Sequence, residues 1–138
     1  MMKHFLLAIC IPFLFISGCA STSPEVDEQT QLQQRRIQTR IFDTSDKKMT
    51  MRNVVSTLQD LNYVIYKADY DIGTIVAQRN IGHNFFVTTV TIKPKGENQM
   101  SVRNVGKYNS YTIDDPVQYQ EFFDALQKRM FLTANGID

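Results

Sequence analysis

The sequence predicts an α+β fold, a two-layer sandwich of two amphipathic helices on one face of an antiparallel sheet of four to five strands. Two stretches place apolar residues at helical spacing. Around them lie short runs rich in β-branched and aromatic residues, bounded by turn formers. The predicted order is β-α-β-β-β-β-α. Both helices can then cover the same sheet face, and the other face stays partly exposed to water.

The first strand is predicted over about residues 37–42, where Ile37, Thr39 and Ile41 alternate with polar residues. Arginines at 35, 36 and 40 can contact lipid phosphates, although such a charged run more often marks a solvated face.

The first helix is predicted over about residues 46–61. Thr44 or Ser45 is expected to cap it, with Asp46 in its first turn. Its apolar stripe comprises Met51, Val54, Val55, Leu58 and Leu61.

Four strands are predicted between the two helices, at residues 63–68, 74–79, 85–92 and 99–105, with turns between them. The third of these is apolar on both faces, with Phe86, Val90 and Ile92 on one and Phe85 and Val87 on the other. This pattern predicts a central strand or a second packing surface. In the last strand, Met100 and Val102 are expected to point inward.

The second helix is predicted to follow Asp115, which suits an N-cap. Pro116 takes its first position, Gln118 completes a spacing like that of a capping box, and Gly136 ends the helix. Its stripe comprises Tyr119, Phe122, Phe123, Leu126 and Met130. The adjacent phenylalanines are more typical of a core than of a ligand cage.

The first eighteen residues have the pattern of a secretory signal. Lys3 gives a positive start, and an apolar run over residues 5–16 follows. This run is shorter than the ~20 residues of a membrane-spanning helix, and Pro12 interrupts it. The run ends in Ile16-Ser17-Gly18-Cys19, which resembles the lipobox of bacterial lipoproteins.

The lipobox resemblance implies cleavage between Gly18 and Cys19 and a diacylglycerol on the Cys19 sulfur, with a further fatty chain such as palmitate on the new amine. Two or more chains make such anchoring stable. Ala20 and Ser21 follow the cysteine. Since no aspartate stands there, the family's sorting rule implies the outer membrane, with the domain facing the periplasm or the cell surface.

The predicted organisation is a signal peptide at 1–18, a lipidated flexible tether at 19–34 and one globular domain at 35–138. The tether is expected because residues 21–34 are almost wholly polar. Without the signal, fourteen basic and fourteen acidic residues remain, so the charge gives no footprint for nucleic acid. With Cys10 removed and Cys19 modified, the domain has one histidine and no thiol. We therefore expect no metal and no cofactor.

Three stretches together resemble a family of small bacterial envelope lipoproteins without established activity. They are Gln38-Thr39-Arg40 with Phe42; Leu58-Gln59-Asp60 with Gly73 and Ala77; and Tyr119-Gln120 with Phe122-Phe123, Leu126 and Phe131-Leu132. The helix, strand and Asp-x-x-Gly-x-x-x-Ala pattern is also similar, in fold alone, to the repeated domains of the C lipoprotein of the outer-membrane barrel assembly machinery.

The first functional hypothesis is a non-catalytic binding or scaffold module of an envelope protein complex. Its candidate partner or ligand surface comprises Phe85, Val87, Tyr108 and Tyr111. The alternative is a small-ligand or lipid carrier with a cleft lined by Tyr63, Tyr66, Tyr108, Tyr111 and Met130, residues more often found in a core or rim. The acid–base candidates are His83, Asp114 and Asp115. Because their spacing shows no positioned set, we expect no enzymatic activity.

Overall fold

The computed structural model describes residues 25–137, with side-chain surroundings from Glu28 onward. Within this range the helices are α1 (Glu25–Ile37), α2 (Lys47–Asp60) and α3 (Pro116–Ala134). The strands are β1 (Thr39–Phe42), β2 (Val64–Asp69), β3 (Thr74–Ile81), β4 (Asn84–Lys95), β5 (Gln99–Tyr108) and β6 (Tyr111–Thr112). The predicted α+β class is confirmed.

The strands form one antiparallel sheet in the order β1-β5-β4-β3-β2, with β6 pairing with β5. Strands β2 to β5 follow one another as hairpins, so each pairs with its neighbour in the chain. Strand β4 lies in the middle, and the prediction of a central strand at 85–92 is confirmed. The short strand β6 was not predicted, and β4 and β5 extend beyond their predicted ends.

The core lies between one sheet face and the helices α2 and α3. Alternation along the strands brings Val90 and Ile92 of β4 and Met100 and Val102 of β5 to this face. All five stripe residues predicted for the last helix are buried, and Leu126 has no exposed surface. In α2, Met51, Val54 and Leu58 are buried, whereas Val55 and Leu61 are partly buried against the core. Burying each large side chain stabilises the fold by about 1.5–3 kcal/mol.

The start of each core helix is set by an aspartate. Asp115 caps α3 as predicted, and its carboxylate accepts a hydrogen bond from the Val117 amide at 3.0 Å. For α2 the predicted cap was wrong. Asp46 itself is the cap and accepts from the Met49 amide at 2.8 Å, while Thr44 Oγ1 accepts from the Asp46 amide at 3.2 Å. The hydroxyl therefore supports the turn before the helix instead of capping it.

The flexible tether predicted at 19–34 was wrong from Glu25 onward, because that part of the chain belongs to α1. The first strand begins at Thr39 and not at Ile37, which is the last residue of α1. A thirteen-residue helix is marginal alone. This one has Arg35 and Arg36 in its last turn, where cations interact favourably with the helix dipole, and Gln34 Nε2 ties it to the Ile113 carbonyl. The rest of the predicted tether and the signal peptide lie outside the described residues.

Candidate binding surface

The sheet face opposite α2 and α3, which we call the outer face, carries two central rows that consist of threonines, valines and one arginine. Strand register places Thr39, Arg103, Thr91 and Thr74 in one row across four strands. The next row contains Val105, Thr89 and Val76. All seven side chains are half-buried. They are neighbours in the strand register and face away from the two core helices, since alternate residues of a strand point to opposite faces.

The four residues predicted as a partner or ligand surface do not share one face. Phe85 and Val87 are on the outer face, where Phe85 is 40% exposed. Tyr108 pairs with Phe86, and their rings meet edge to face at 5.2 Å, so Tyr108 lies on the helix side of the sheet. Tyr111 pairs with Tyr108 and is 79% exposed. The surface is divided because the β4–β5 register puts neighbouring aromatic residues on opposite faces.

A cavity of about 460 Å³ lies between α1 and the β5–β6 edge. All its lining residues except one valine are of polar types, although their aliphatic parts supply most of the lining surface; they comprise Thr30, Gln31, Gln34, Arg35, Gln38, Arg103, Val105, Thr112 and Asp114. Gln34 Nε2 donates to the Ile113 carbonyl at 2.7 Å and so ties α1 to the chain before α3. The cavity thus depends on α1 being folded.

A buried polar network fixes the inner end of this cavity. Gln38 is 1% exposed; its Nε2 donates to the Tyr119 hydroxyl at 3.2 Å, and its Oε1 accepts from Arg103 Nη2 at 3.1 Å. The Tyr119 hydroxyl in turn donates to the Ile113 carbonyl at 2.7 Å and accepts from the Gly106 amide at 3.3 Å. The network holds Nη2 of Arg103 against Gln38 and so orients this guanidinium at the outer face, although its buried Nε has no partner among the described residues.

A second cationic group, Arg79, is on the helix side of the sheet. Its guanidinium lies 4.9 Å from the Tyr63 ring centroid and 5.7 Å from that of Phe86, and its Nη1 donates to the Leu61 carbonyl at 3.3 Å. Burial raises the pKa of the Tyr63 hydroxyl above 10.0; Arg79 acts against this rise and Glu121 adds to it. This cluster joins the end of α2 to the β3–β4 hairpin.

The residues predicted to line a carrier cleft are dispersed. Tyr66 is 66% exposed on β2, whereas Met130 is only 8% exposed in the core. Neither lines the cavity beside α1. That cavity is formed by glutamines and arginines, which carry no aromatic or apolar signal in the sequence.

The acid–base candidates are also apart. His83 is exposed in the turn between β3 and β4, Asp115 caps α3, and Asp114 lines the cavity beside α1. Over residues 25–137 no group of three His, Cys, Asp or Glu side chains is placed to hold a metal ion. In the same range, no helix combines the length and the apolar character needed to cross a membrane. The predicted lipidation and cleavage residues, Cys19 and Gly18, lie outside the described part of the chain.

No protein-family model matches this sequence, and no curated protein matches it.

The residues that sequence reasoning missed are Gln34, Gln38 and Arg103. Gln38 was interpreted as a polar position of an alternating strand and as part of the family resemblance, and Arg103 was not singled out. Their one signal was the alternation itself, which placed Arg103 opposite the inward Val102, but nothing local indicated a contact 65 positions away.

Proposed function

We propose that this protein is a lipid-anchored lipoprotein of the outer membrane and that its domain is a non-catalytic binding module of an envelope protein complex. The observation that carries the proposal is the outer face. It is a half-buried surface of valines, threonines and cations that neither α2 nor α3 covers. Valines give a partner apolar area to bury, and hydroxyls and cations give it directional contacts.

The anchor half of the proposal is supported by Ile16-Ser17-Gly18-Cys19. The helix α1 begins at Glu25, six positions after Cys19. Six extended residues span at most about 20 Å. A lipid on Cys19 therefore keeps the first turn of α1 within about 20 Å of the bilayer, whereas fourteen extended residues can span about 50 Å.

The anchor is tested by a Cys19→Ala variant in intact cells. We expect the unmodified chain to fractionate with the outer membrane and to gain the mass of its fatty chains, whereas Cys19→Ala should lose both properties. Val87→Ala is the control, since it leaves the lipobox unchanged. The anchor would be refuted if Cys19→Ala still fractionated with the envelope and the unmodified chain carried no acyl mass.

The binding half is tested by photo-crosslinking in cells. A photoreactive residue at Val87 samples the outer face, and the same residue at Gln59 samples the exposed side of α2. We expect a discrete crosslinked protein from position 87 and not from position 59. If neither position gives a crosslinked partner above background, the proposal that the domain is a binding module is wrong.

A small-ligand carrier is the second candidate, and the cavity of about 460 Å³ beside α1 favours it. Cavities that hold small ligands measure roughly 300–1,000 Å³. Native mass spectrometry of the protein extracted from its host should show a bound small molecule, which Gln34→Ala should lose because the variant releases α1 from Ile113. Bare protein alone would exclude the carrier.

A further inference from the structure

The outer face contains a cavity of about 310 Å³ whose side chains are all hydrogen-bond donors. It is lined by Thr39, Thr91, Lys93, Ser101 and Arg103. The lining comprises two cations and three hydroxyls, and it includes neither a carboxylate nor an apolar side chain. This composition is suited to a negatively charged group and unsuited to a cation or an apolar ligand.

Strand register explains why these five residues meet. Arg103 of β5 pairs with Thr39 of β1 on one side and with Thr91 of β4 on the other. Ser101 pairs with Lys93 in the next row of the same face. Neighbouring strands are about 4.8 Å apart, and alternate residues of one strand are separated by about 7 Å. The donors therefore lie on three paired strands and surround a space that is wide enough for one small chemical group.

Most of these donors have no acceptor among the residues that the structure describes. Over residues 25–137, neither the Lys93 ammonium nor the hydroxyls of Thr39, Thr91 and Ser101 form a side-chain hydrogen bond or an ion pair. Arg103 uses Nη2 to reach Gln38, but its Nε is buried and has no partner in the described part of the chain. Water can serve Lys93 at the surface, whereas a buried donor without an acceptor is costly. The site is thus held ready for an acceptor that the described residues do not supply.

Two carboxylates close to this face already have partners. Asp43, which follows β1, accepts a hydrogen bond from Gln99 Nε2 at 2.7 Å. Asp69, at the end of β2, lies 3.8 Å from the Lys67 ammonium and accepts from the Ile72 amide. Neither lines the cavity, and neither does Asp114, which lines the neighbouring cavity beside α1 together with Arg103. Over the described residues, no carboxylate forms an ion pair with Lys93 or Arg103.

We propose that this cavity binds an oxyanion, specifically a phosphate group. Arg103, fixed by Gln38, supplies a planar guanidinium and Lys93 a mobile point charge, and the three hydroxyls donate to the remaining oxygens. The phosphate group can belong to a soluble metabolite or to a lipid headgroup, since both present the same oxygens.

The test is a titration of the full chain, held in a neutral maltoside detergent, with inorganic phosphate at constant ionic strength. Amide NMR signals of Thr39, Thr91 and Ser101 report on the site. We expect saturable shifts confined to these positions. Lys93→Gln should raise the Kd about tenfold, the effect of losing one charge-assisted hydrogen bond.

Lys95→Gln is the matched control. It removes the same charge from the same strand and the same face. Lys95 is two residues further along β4 than Lys93 and does not line the cavity. We expect it to leave the Kd within about twofold. Both lysines are exposed, so neither variant endangers folding.

A second arm identifies the source of the phosphate group by adding phosphatidylglycerol or phosphatidylcholine to the micelles. Shifts with inorganic phosphate alone indicate a soluble ligand, and shifts with phosphatidylglycerol that Lys93→Gln abolishes indicate a lipid headgroup. Either result supports the oxyanion site. Absence of saturable shifts in both arms overturns it, as does equal weakening by Lys93→Gln and Lys95→Gln, because that would indicate non-specific attraction of charge.

Discussion

Gly73 occupies a position where a side chain has neither a permitted backbone conformation nor space. It lies in the β2–β3 turn with φ +83°, a value that L-residues rarely adopt. Its amide donates to the Asp69 carbonyl at 2.8 Å, and its carbonyl accepts from the Ile92 amide at 2.8 Å. A Cβ at Gly73 would approach both the Ile92 carbonyl oxygen and Lys47 Cε to less than 3.0 Å. Lys47 can swing away, but the backbone of the central strand cannot.

The expected loss of unfolding free energy in Gly73→Ala is the sum of three terms. A non-glycine residue in the left-handed region costs about 1–2 kcal/mol. Forcing a packed backbone apart costs about 1–3 kcal/mol more. Alanine restricts the unfolded chain and returns about 0.4–1 kcal/mol. We therefore expect Gly73→Ala to lower the free energy of unfolding by about 3 kcal/mol, a large share of the ~5–15 kcal/mol of a typical domain.

Gly96→Ala is the matched control. Gly96 also has a positive φ, of +66°, but a Cβ there would meet nothing within 4 Å. Only the backbone term and the unfolded-state term apply, so the expected loss is about 1 kcal/mol or less. Urea unfolding followed by far-UV circular dichroism measures both variants by linear extrapolation. Equal losses for the two variants would refute the close approach to Ile92.

Two further predictions concern tyrosines. Tyr119→Phe removes the acceptor of the Gly106 amide and the donor to the Ile113 carbonyl. We expect the free energy of unfolding in the same urea assay to fall by about 1–3 kcal/mol. An unchanged midpoint would show that water replaces the hydroxyl. Because burial raises the pKa of Tyr63 above 10.0, the folded state holds this proton more tightly than the unfolded state. The contribution of Tyr63 to the free energy of unfolding is fully present below pH 10.0 and is lost as the pH rises through the folded pKa. Tyr63→Phe should therefore make the free energy of unfolding decline less steeply above pH 10.0. Parallel curves for the variant and the unmodified chain would contradict this.

The core helices and the central strand were predictable because each carries its own periodic signal. Leu126 and Phe122 recur at helical spacing and are buried, and Val90 and Ile92 alternate along β4 and face the core. Asp115 and Pro116 likewise mark the start of α3 through local hydrogen bonding and geometry.

The helix α1 was not predicted because its residues bury almost no apolar surface and so show no helical periodicity of apolar residues. Its end is held by Gln34 and Gln38 through hydrogen bonds to Ile113 and Tyr119, which lie 79 and 81 positions along the chain. A polar residue has the same local appearance whether it is solvated or bonded to a distant partner. The anchor at Cys19 stays a prediction from the lipobox resemblance.

Local pattern was therefore sufficient for the fold class, the core stripes and the place of β4, because apolar burial leaves a period of about 3.6 or 2 in the chain itself. The cavity beside α1, the orientation of Arg103 by Gln38 and the donor cavity around Lys93 arise only on folding. Strand register and a buried polar network bring those groups together, and neither depends on the residues adjacent to them in sequence.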